Sequence, residues 1–356
     1  MRLGILTFHR AHNYGAVLQT YALQQCLQSM GHDVWVIDYR QPAIEKAYRV
    51  FDFKTWLKML LRLRKQTLTY LLGTAVRRQR KKYFESFVAN HLHPTGPCSA
   101  ETIPQDFDGY IIGSDQVWNW QWVGGVIDKV YLGQFKRPAN SKLFGYAIST
   151  NMGSLDLIGA DTLKQLQRTY TALSVREEHI SKVIHCLTAI KPQVCCDPTL
   201  LTDATFWDAV TNDKYSTRKY VLAYQVGKIY KQPTLLRDKA QALADELHCE
   251  MILVDVASAH LPVEDVVSLF KYAQYVVCTS FHGTAFSLIF ERPFYTIKLH
   301  QGNDNRFAGL LSLLGAEDRC VEADTPLKPI PMDYTSVSEA LKKYRQNSLE
   351  FLQSII

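Results

Sequence analysis

Apolar residues in this chain come in short runs separated by polar, glycine-containing turns, and the runs switch repeatedly between strand and helix spacing. Residues 3–8 form an apolar strand pattern, 9–14 a polar loop, and 15–30 a helical pattern closed by Gly31. Residues 34–37 form the next strand, which ends at Asp38. A strand, a helix and a strand in that order predict a parallel sheet. Further strands are predicted at 110–112, 143–147 and 194–196, with helix-like stretches such as 160–173 between them. After the DPTLL segment at 197–201 the alternation restarts, with strands at 220–225, 251–256, 275–278 and 294–297. Helices at 234–247, 263–273, 283–290 and 307–314 separate or follow them.

The expected fold class is therefore α/β, with two Rossmann-like domains facing each other across a cleft. We expect an N-terminal domain over 1–200, a C-terminal domain over 201–335 and a terminal helix over 336–356. The 356 residues suffice for two domains at about 150 residues each. With 47% hydrophobic and 21% charged residues, disordered, collagenous and mini-protein classes are excluded. The apolar run before His9 is too short for a signal-peptide core, and no apolar window is long enough to span a bilayer, so a cytoplasmic location is expected. Eight scattered cysteines without a C-x-x-C pair predict reduced thiols and no metal site.

The net charge of +6 is unevenly placed. Residues 54–82 hold ten Lys and Arg and no Asp or Glu, which leaves the remaining 327 residues at −4. The cations interleave with Trp56, Leu57, Leu60, Leu61, Leu63, Leu68, Leu71 and Leu72. A basic helical insertion near 50–90 is expected. Its readings are a helical excursion packing on the first domain or a face for an anionic membrane surface. Nucleic acid is disfavoured as a partner by the acidic remainder.

Four segments can carry chemistry. Asn13, Tyr14 and Gly15 sit at a strand-to-helix turn, where exposed amides receive anions and glycine admits close approach. Ser114, Asp115, Gln116 and Asn119 follow a buried strand, where open sheets bind ligands, and Trp118, Trp120 and Trp122 offer stacking faces. Arg176 in SVREE presents a fork for carboxylate or phosphate, unless Glu177 and Glu178 merely pair with it on the surface. His282 lies among Ser280, Gly283 and Thr284 at a helix start, a place for an anion and a proton-trading imidazole. Lys298 ends the following strand and Arg306 stands in a polar loop, which together predict a cationic lip around the histidine. A G-x-S-x-G elbow, a Walker loop, H-E-x-x-H and G-x-G-x-x-G are all missing.

In this order and spacing, NYGAVLQTYAL, IIGSDQVWN, SVREE, DPTLL and SFHGTAFSLIFERPF resemble the polysaccharide pyruvyl transferase family over roughly residues 3–315. The resemblance implies a fold like the GT-B glycosyltransferases and transfer of pyruvate from phosphoenolpyruvate to a sugar of a surface or capsular polysaccharide precursor. The implied product is a cyclic ketal, often 4,6-linked on a hexose, with release of phosphate and no cofactor. The family's essential Arg falls on Arg176, its His on His282 and its following Lys on Lys298. Many relatives carry Arg-Leu before that His, whereas Ser280 and Phe281 stand here, so the anion contact passes to another residue, with Arg306 the candidate. The sugar acceptor is open between nucleotide-linked, lipid-linked and polymeric forms. Two rival readings remain: a nucleotide-sugar glycosyltransferase and a non-catalytic carbohydrate-binding partner.

Overall fold

The computed structural model describes residues 1–61, 66–189, 191–227, 229, 232–258, 260–300 and 304–356. Six parallel strands build the first sheet: β1 (Arg2–Leu6), β2 (Asp33–Val36), β3 (Gly109–Ile112), β4 (Lys142–Ile148), β5 (Ala172–Val175) and β6 (Gln193–Val194), in spatial order 2-1-3-4-5-6. Five build the second: β7 (Tyr220–Gln225), β8 (Glu250–Asp255), β9 (Tyr275–Cys278), β10 (Phe294–Ile297) and β11 (Cys320–Val321), in order 8-7-9-10-11 and again all parallel. Each sheet thus reverses direction beside its own first strand. In such sheets the crevice at the reversal, beyond the strands' carboxyl ends, is where ligands bind.

The helices of the first half are α1 (Tyr14–Ser29), α2 (Pro42–Ala47), α3 (Phe53–Leu61), α4 (Gln66–His91), α5 (Met152–Ile158), α6 (Ala160–Thr169) and α7 (Glu178–Thr188). Those that follow are α8 (Leu235–Glu246), α9 (Val263–Tyr272), α10 (Phe281–Ile289), α11 (Asp304–Leu313) and α12 (Thr335–Ile355). One apolar cluster runs from Leu3, Val17 and Phe87 of the first half to Trp207, Phe270 and Phe286 of the second, so the two sheets share a core at their seam. Helix α1 is buried on nearly every side because it lies in that seam; Gln19 Nε2 donates to Thr7 Oγ1 at 2.8 Å and the Thr20 hydroxyl to Ala16 O at 2.7 Å. Helix α12 returns to the first half, where Ser348 Oγ accepts from the Cys196 amide at 2.9 Å and Arg345 Nε donates to Leu200 O at 2.8 Å.

Three expectations are corrected. The helix predicted over 160–173 stops at Thr169, and Ala172 and Leu173 belong to β5; a short apolar run fits both periods, and Tyr170 has already turned to extended backbone. Helix α10 begins at Phe281, ahead of the expected 283, because Ser280 caps it. Arg306 therefore has a helical counterpart too: it lies in the first turn of α11, outside any loop. The basic insertion is a helical hairpin of α3 and α4, and Arg62, Leu63, Arg64 and Lys65 between them lie outside the described residues, as do Gln301, Gly302 and Asn303 before α11.

Candidate active site

Two helix starts meet at the seam. Asn13 caps α1, its Oδ1 accepting from the amides of Gly15 at 3.0 Å and Ala16 at 3.4 Å. Tyr14 crosses to the other half, donating its hydroxyl to Leu261 O at 3.1 Å. Gly15 lies directly against the His282 imidazole, and a Cβ built there would overlap the ring. From the opposite side Ser280 Oγ caps α10 by accepting from Gly283 N at 3.2 Å, which sets His282 in the first helical turn. Gly283 fits its helix against Cys278, whose Cβ would stand 2.7 Å from an added Cβ. The Thr284 hydroxyl is engaged with Ser280 O at 3.0 Å and Thr296 Oγ1 at 2.7 Å. Ser280, Gly283 and Thr284 therefore build the turn, and His282 is what the turn presents.

Below His282 lies a buried charged node. Asp197 Oδ2 stands 3.7 Å from His282 Nε2, an ionic rather than a hydrogen-bonded separation, and accepts from Arg176 Nη1 at 2.7 Å. Its other oxygen, Oδ1, accepts from the Thr199 amide at 3.0 Å and hydroxyl at 2.8 Å. Burial pushes the Asp197 carboxyl up, but His282, then Arg176 and the Thr199 amide, more than reverse this and hold it well below the usual carboxylate range. The Arg176 fork is fully used: Nε donates to Glu177 Oε1 at 3.0 Å, Nη2 to Ser149 Oγ at 2.9 Å, and Asp115 Oδ1 is 4.0 Å from Nη1. Burial opposes the charge on Arg176, and Glu177, Asp197 and Asp115 outweigh it, so the pKa is raised and the cation is locked. Phe281 lies under the guanidinium with its ring centroid 4.4 Å away.

One cavity borders this node and a second, which shares none of its residues, lies between the halves. The first, of about 650 Å³, is lined by Arg176, Asp197, Phe281, Arg306 and Tyr344. Arg306 Nε is buried there without a hydrogen-bond partner. Burial first, and then the like charge of Arg176, push the Arg306 guanidinium down, as expected of a cation lacking its anion. The other cavity, of about 620 Å³, lies between the halves and is lined by Asn13, Arg49, Arg77, Arg80, Trp122 and Gly227 among others. Arg80 closes its floor, donating to Ala257 O of the second half at 2.8 Å and to His12 O.

The loop after β3 is more structural than expected. Ser114 Oγ donates to Ala147 O at 2.8 Å and sits 3.5 Å from Asp197 Oδ2. Gln116 and Asn119 are buried; Gln116 Oε1 accepts from Trp122 Nε1 at 2.7 Å and from Asn119 Nδ2 at 3.3 Å. Trp118 offers no stacking face, being wholly buried with Nε1 donating to Tyr131 O at 2.7 Å. Trp122, by contrast, is 54% exposed on the cleft wall.

The expected cationic lip takes a different form. Glu177 pairs with Arg176 as one alternative had it, but deep inside, whereas Glu178 faces solvent near Lys182. Lys298 follows β10, adjacent to β9, yet its Nζ donates to Glu322 Oε1 at 2.9 Å, and Glu322 also holds His300. Arg49, Arg77 and Arg80 instead line the interdomain cavity. Sequence reasoning left Asp197, Ser149 and Arg80 out of the site. Asp197 stood in view in DPTLL, but Asp before Pro and Thr reads as a helix start, and its second oxygen's partners come from β5 and α10.

The family model for polysaccharide pyruvyl transferase matches residues 13–300, most of the chain. No curated protein matches it in sequence. Among solved structures, the chain is similar to the UDP-GlcNAc 2-epimerase from Methanocaldococcus jannaschii, at 9% identity and TM-score 0.44 over 96% of this chain and 92% of that one. It is also similar to the spinosyn rhamnosyltransferase SpnG, at 12% identity and TM-score 0.40 over the whole of both chains. A third likeness is to the E. coli heptosyltransferase WaaC, at 11% identity and TM-score 0.35 over 88% of this chain and 99% of that one. These likenesses are loose, and the description of the fold rests on the strand orders above.

Proposed function

The chain belongs to the polysaccharide pyruvyl transferase family, and from that premise we propose that it moves pyruvate from phosphoenolpyruvate onto two hydroxyls of a sugar, forming a cyclic ketal and releasing phosphate. The observation that carries the reading is the position of His282, at a helix start on the seam, over an ionised Asp197 that lines the same cavity as Arg306. The donor lies on the Arg306 side, where an unpaired guanidinium answers an anion, and the sugar on the Asn13 and Trp122 side. A 4,6-linked hexose of a capsular or exopolysaccharide precursor is the acceptor class this reading favours. A peripheral place at the inner face of the cell membrane goes with it.

An Nε2–H turned toward Asp197 leaves Nδ1, over Gly15, to exchange protons. As imidazolium, His282 gives a proton to the methylene carbon of the enol phosphate, which becomes a methyl group and leaves an oxocarbenium-like C2. The first sugar hydroxyl bonds to C2 and returns its proton to His282. The C2–O bond to phosphate then breaks, the second hydroxyl closes the ring, and its proton leaves with the phosphate. Asp197 stabilises the imidazolium and Arg176 keeps Asp197 ionised and in place, so Arg176 acts as a positioning residue. Lys298, paired with Glu322, holds the rim of the neighbouring strand and is available to a ligand only by leaving that partner.

The test is a screen of sugar acceptors with phosphoenolpyruvate, read by mass for the pyruvyl ketal and by phosphate release. Release of nucleoside diphosphate from a nucleotide sugar would instead identify a glycosyltransferase, and sugar binding without turnover a non-catalytic partner.

A further inference from the structure

Helices α3 and α4 reverse the usual relation between spacing and burial. Phe53, Leu57, Leu60 and Leu61 fall on one stripe of α3, and Leu68, Leu71, Leu72 and Val76 on one stripe of α4, the spacing of a core-facing helix. All eight are exposed, Leu61 at 74% and Leu72 at 70%. The hairpin is nevertheless folded on itself: Phe51 packs on Trp56 with ring centroids 6.2 Å apart and on Tyr70 at 5.9 Å, and Arg77 covers the Tyr70 ring at 4.5 Å. Its outward stripe is therefore left uncovered by the described residues. The base of α4 is fixed in the core by Phe84 and Phe87, and Arg80 ties it to both halves.

The charge says what covers the stripe. Residues 54–82 contain ten cations and no acid. A second copy laid on this face would bring two such sets together, which like-charge repulsion disfavours. A surface with an apolar interior and a phosphate-rich, negatively charged skin accommodates both features at once. The position fits as well. Eight residues separate Leu72 from Arg80, about 12 Å along the helix, and Arg78, Lys81 and Lys82 there line a cavity of about 640 Å³ with Arg10 and Arg49, five cations against the carboxylates of Glu45 and Glu85. That cavity adjoins the interdomain cleft, with which it shares His12, Tyr48 and Arg49.

We propose that the α3–α4 hairpin docks on an anionic lipid bilayer, with its apolar stripe at the boundary of headgroups and acyl chains, its cations on lipid phosphates, and the mouth of the cleft held against the membrane surface. Among the described residues no helix is long and apolar enough to cross a membrane, so the contact is interfacial. The inference needs no transferase activity, so its test can fail without the pyruvyl transfer reading failing, and the reverse.

The experiment is flotation of the full chain with vesicles of phosphatidylglycerol in phosphatidylcholine, and with phosphatidylcholine alone, in low and high salt. The wild type is expected to float with the anionic vesicles, weakly with the neutral ones, and less as salt rises. A Leu71→Ser, Leu72→Ser variant, both positions exposed, is expected to keep its circular dichroism and melting curve and to partition at least about tenfold less. Wild type that stays unbound to anionic vesicles at low salt overturns the proposal. So does a double variant that floats like wild type, which would reduce the effect to charge alone. A wild-type dimer that ignores vesicles and that the double variant dissociates assigns the face to a second copy and also overturns it.

Discussion

Around Arg176, the carboxylates of Asp115, Glu177 and Asp197 lie within ion-pair reach of one guanidinium in the interior. On the α3–α4 hairpin, Lys54, Lys58 and Arg78 face solvent beside exposed leucines, in a stretch that supplies no acid of its own. The first arrangement holds an imidazole in one place and is costly to disturb. The second leaves its charge and apolar surface free for something outside the chain. On the two proposals above, the difference separates a node that positions chemistry from a face presented to a partner, and substitutions in the two regions should behave in opposite ways.

The largest effect is expected at the node. Arg176→Ala would leave Glu177 and Asp197 buried, and Asp115 half-buried, without their shared cation, a loss of about 3–5 kcal/mol, whereas Arg78→Ala on the hairpin should change stability by no more than about 0.5 kcal/mol. Urea midpoints measure both, and equal losses would break the contrast.

His12 marks the border between the regions. Its ring is stacked on Phe84, and burial, followed by the charges of Arg80, Arg10 and Lys81, lowers its pKa from 6.5 to about 4. The unfolded chain takes up this proton near pH 6.5 and the folded protein resists it. Stability attributable to His12 is thus whole above pH 6.5 and falls as the pH drops toward about 4, by up to roughly 3 kcal/mol. Denaturant midpoints at several pH values should show this slope, and His12→Phe, which keeps the ring contacts, should flatten it.

Gly15→Ala sharpens the comparison further. The added Cβ would displace His282, at an expected cost of about 100-fold in turnover and about 1–3 kcal/mol of overpacking, while vesicle binding stays as in wild type. Unchanged phosphate release from phosphoenolpyruvate would mean that His282 is not held where Gly15 places it.

Most of the architecture was legible because each strand is an apolar run bounded by turn residues; β7, β9 and β10 fall where the pattern put them. Ambiguity arose where one run satisfied two periods, as at Ala172 and Leu173, or where a cap such as Ser280 started a helix early. His282 and Arg176 were legible from their turns, but their partners were not. Asp197 shows an N-cap to the local sequence and an ion pair to Arg176 in three dimensions, and no spacing rule connects residues 21 positions apart that follow two different strands. The +10 segment was visible at once, while the exposure of its leucines is a property of how α3 folds on α4.

The central claim is that His282, set on Asp197 and Arg176 against Gly15, hands a proton to the methylene carbon of phosphoenolpyruvate. Turnover in D2O with a sugar acceptor, followed by mass spectrometry of the product from wild type and His282→Gln, tests it most directly. The predicted result is a ketal whose methyl group carries a deuteron that does not wash out, with product formation falling about 10²–10⁴-fold in the variant while its melting curve is kept. A deuterium-free product, or a His282→Gln enzyme that forms the ketal at a near wild-type rate, would contradict it.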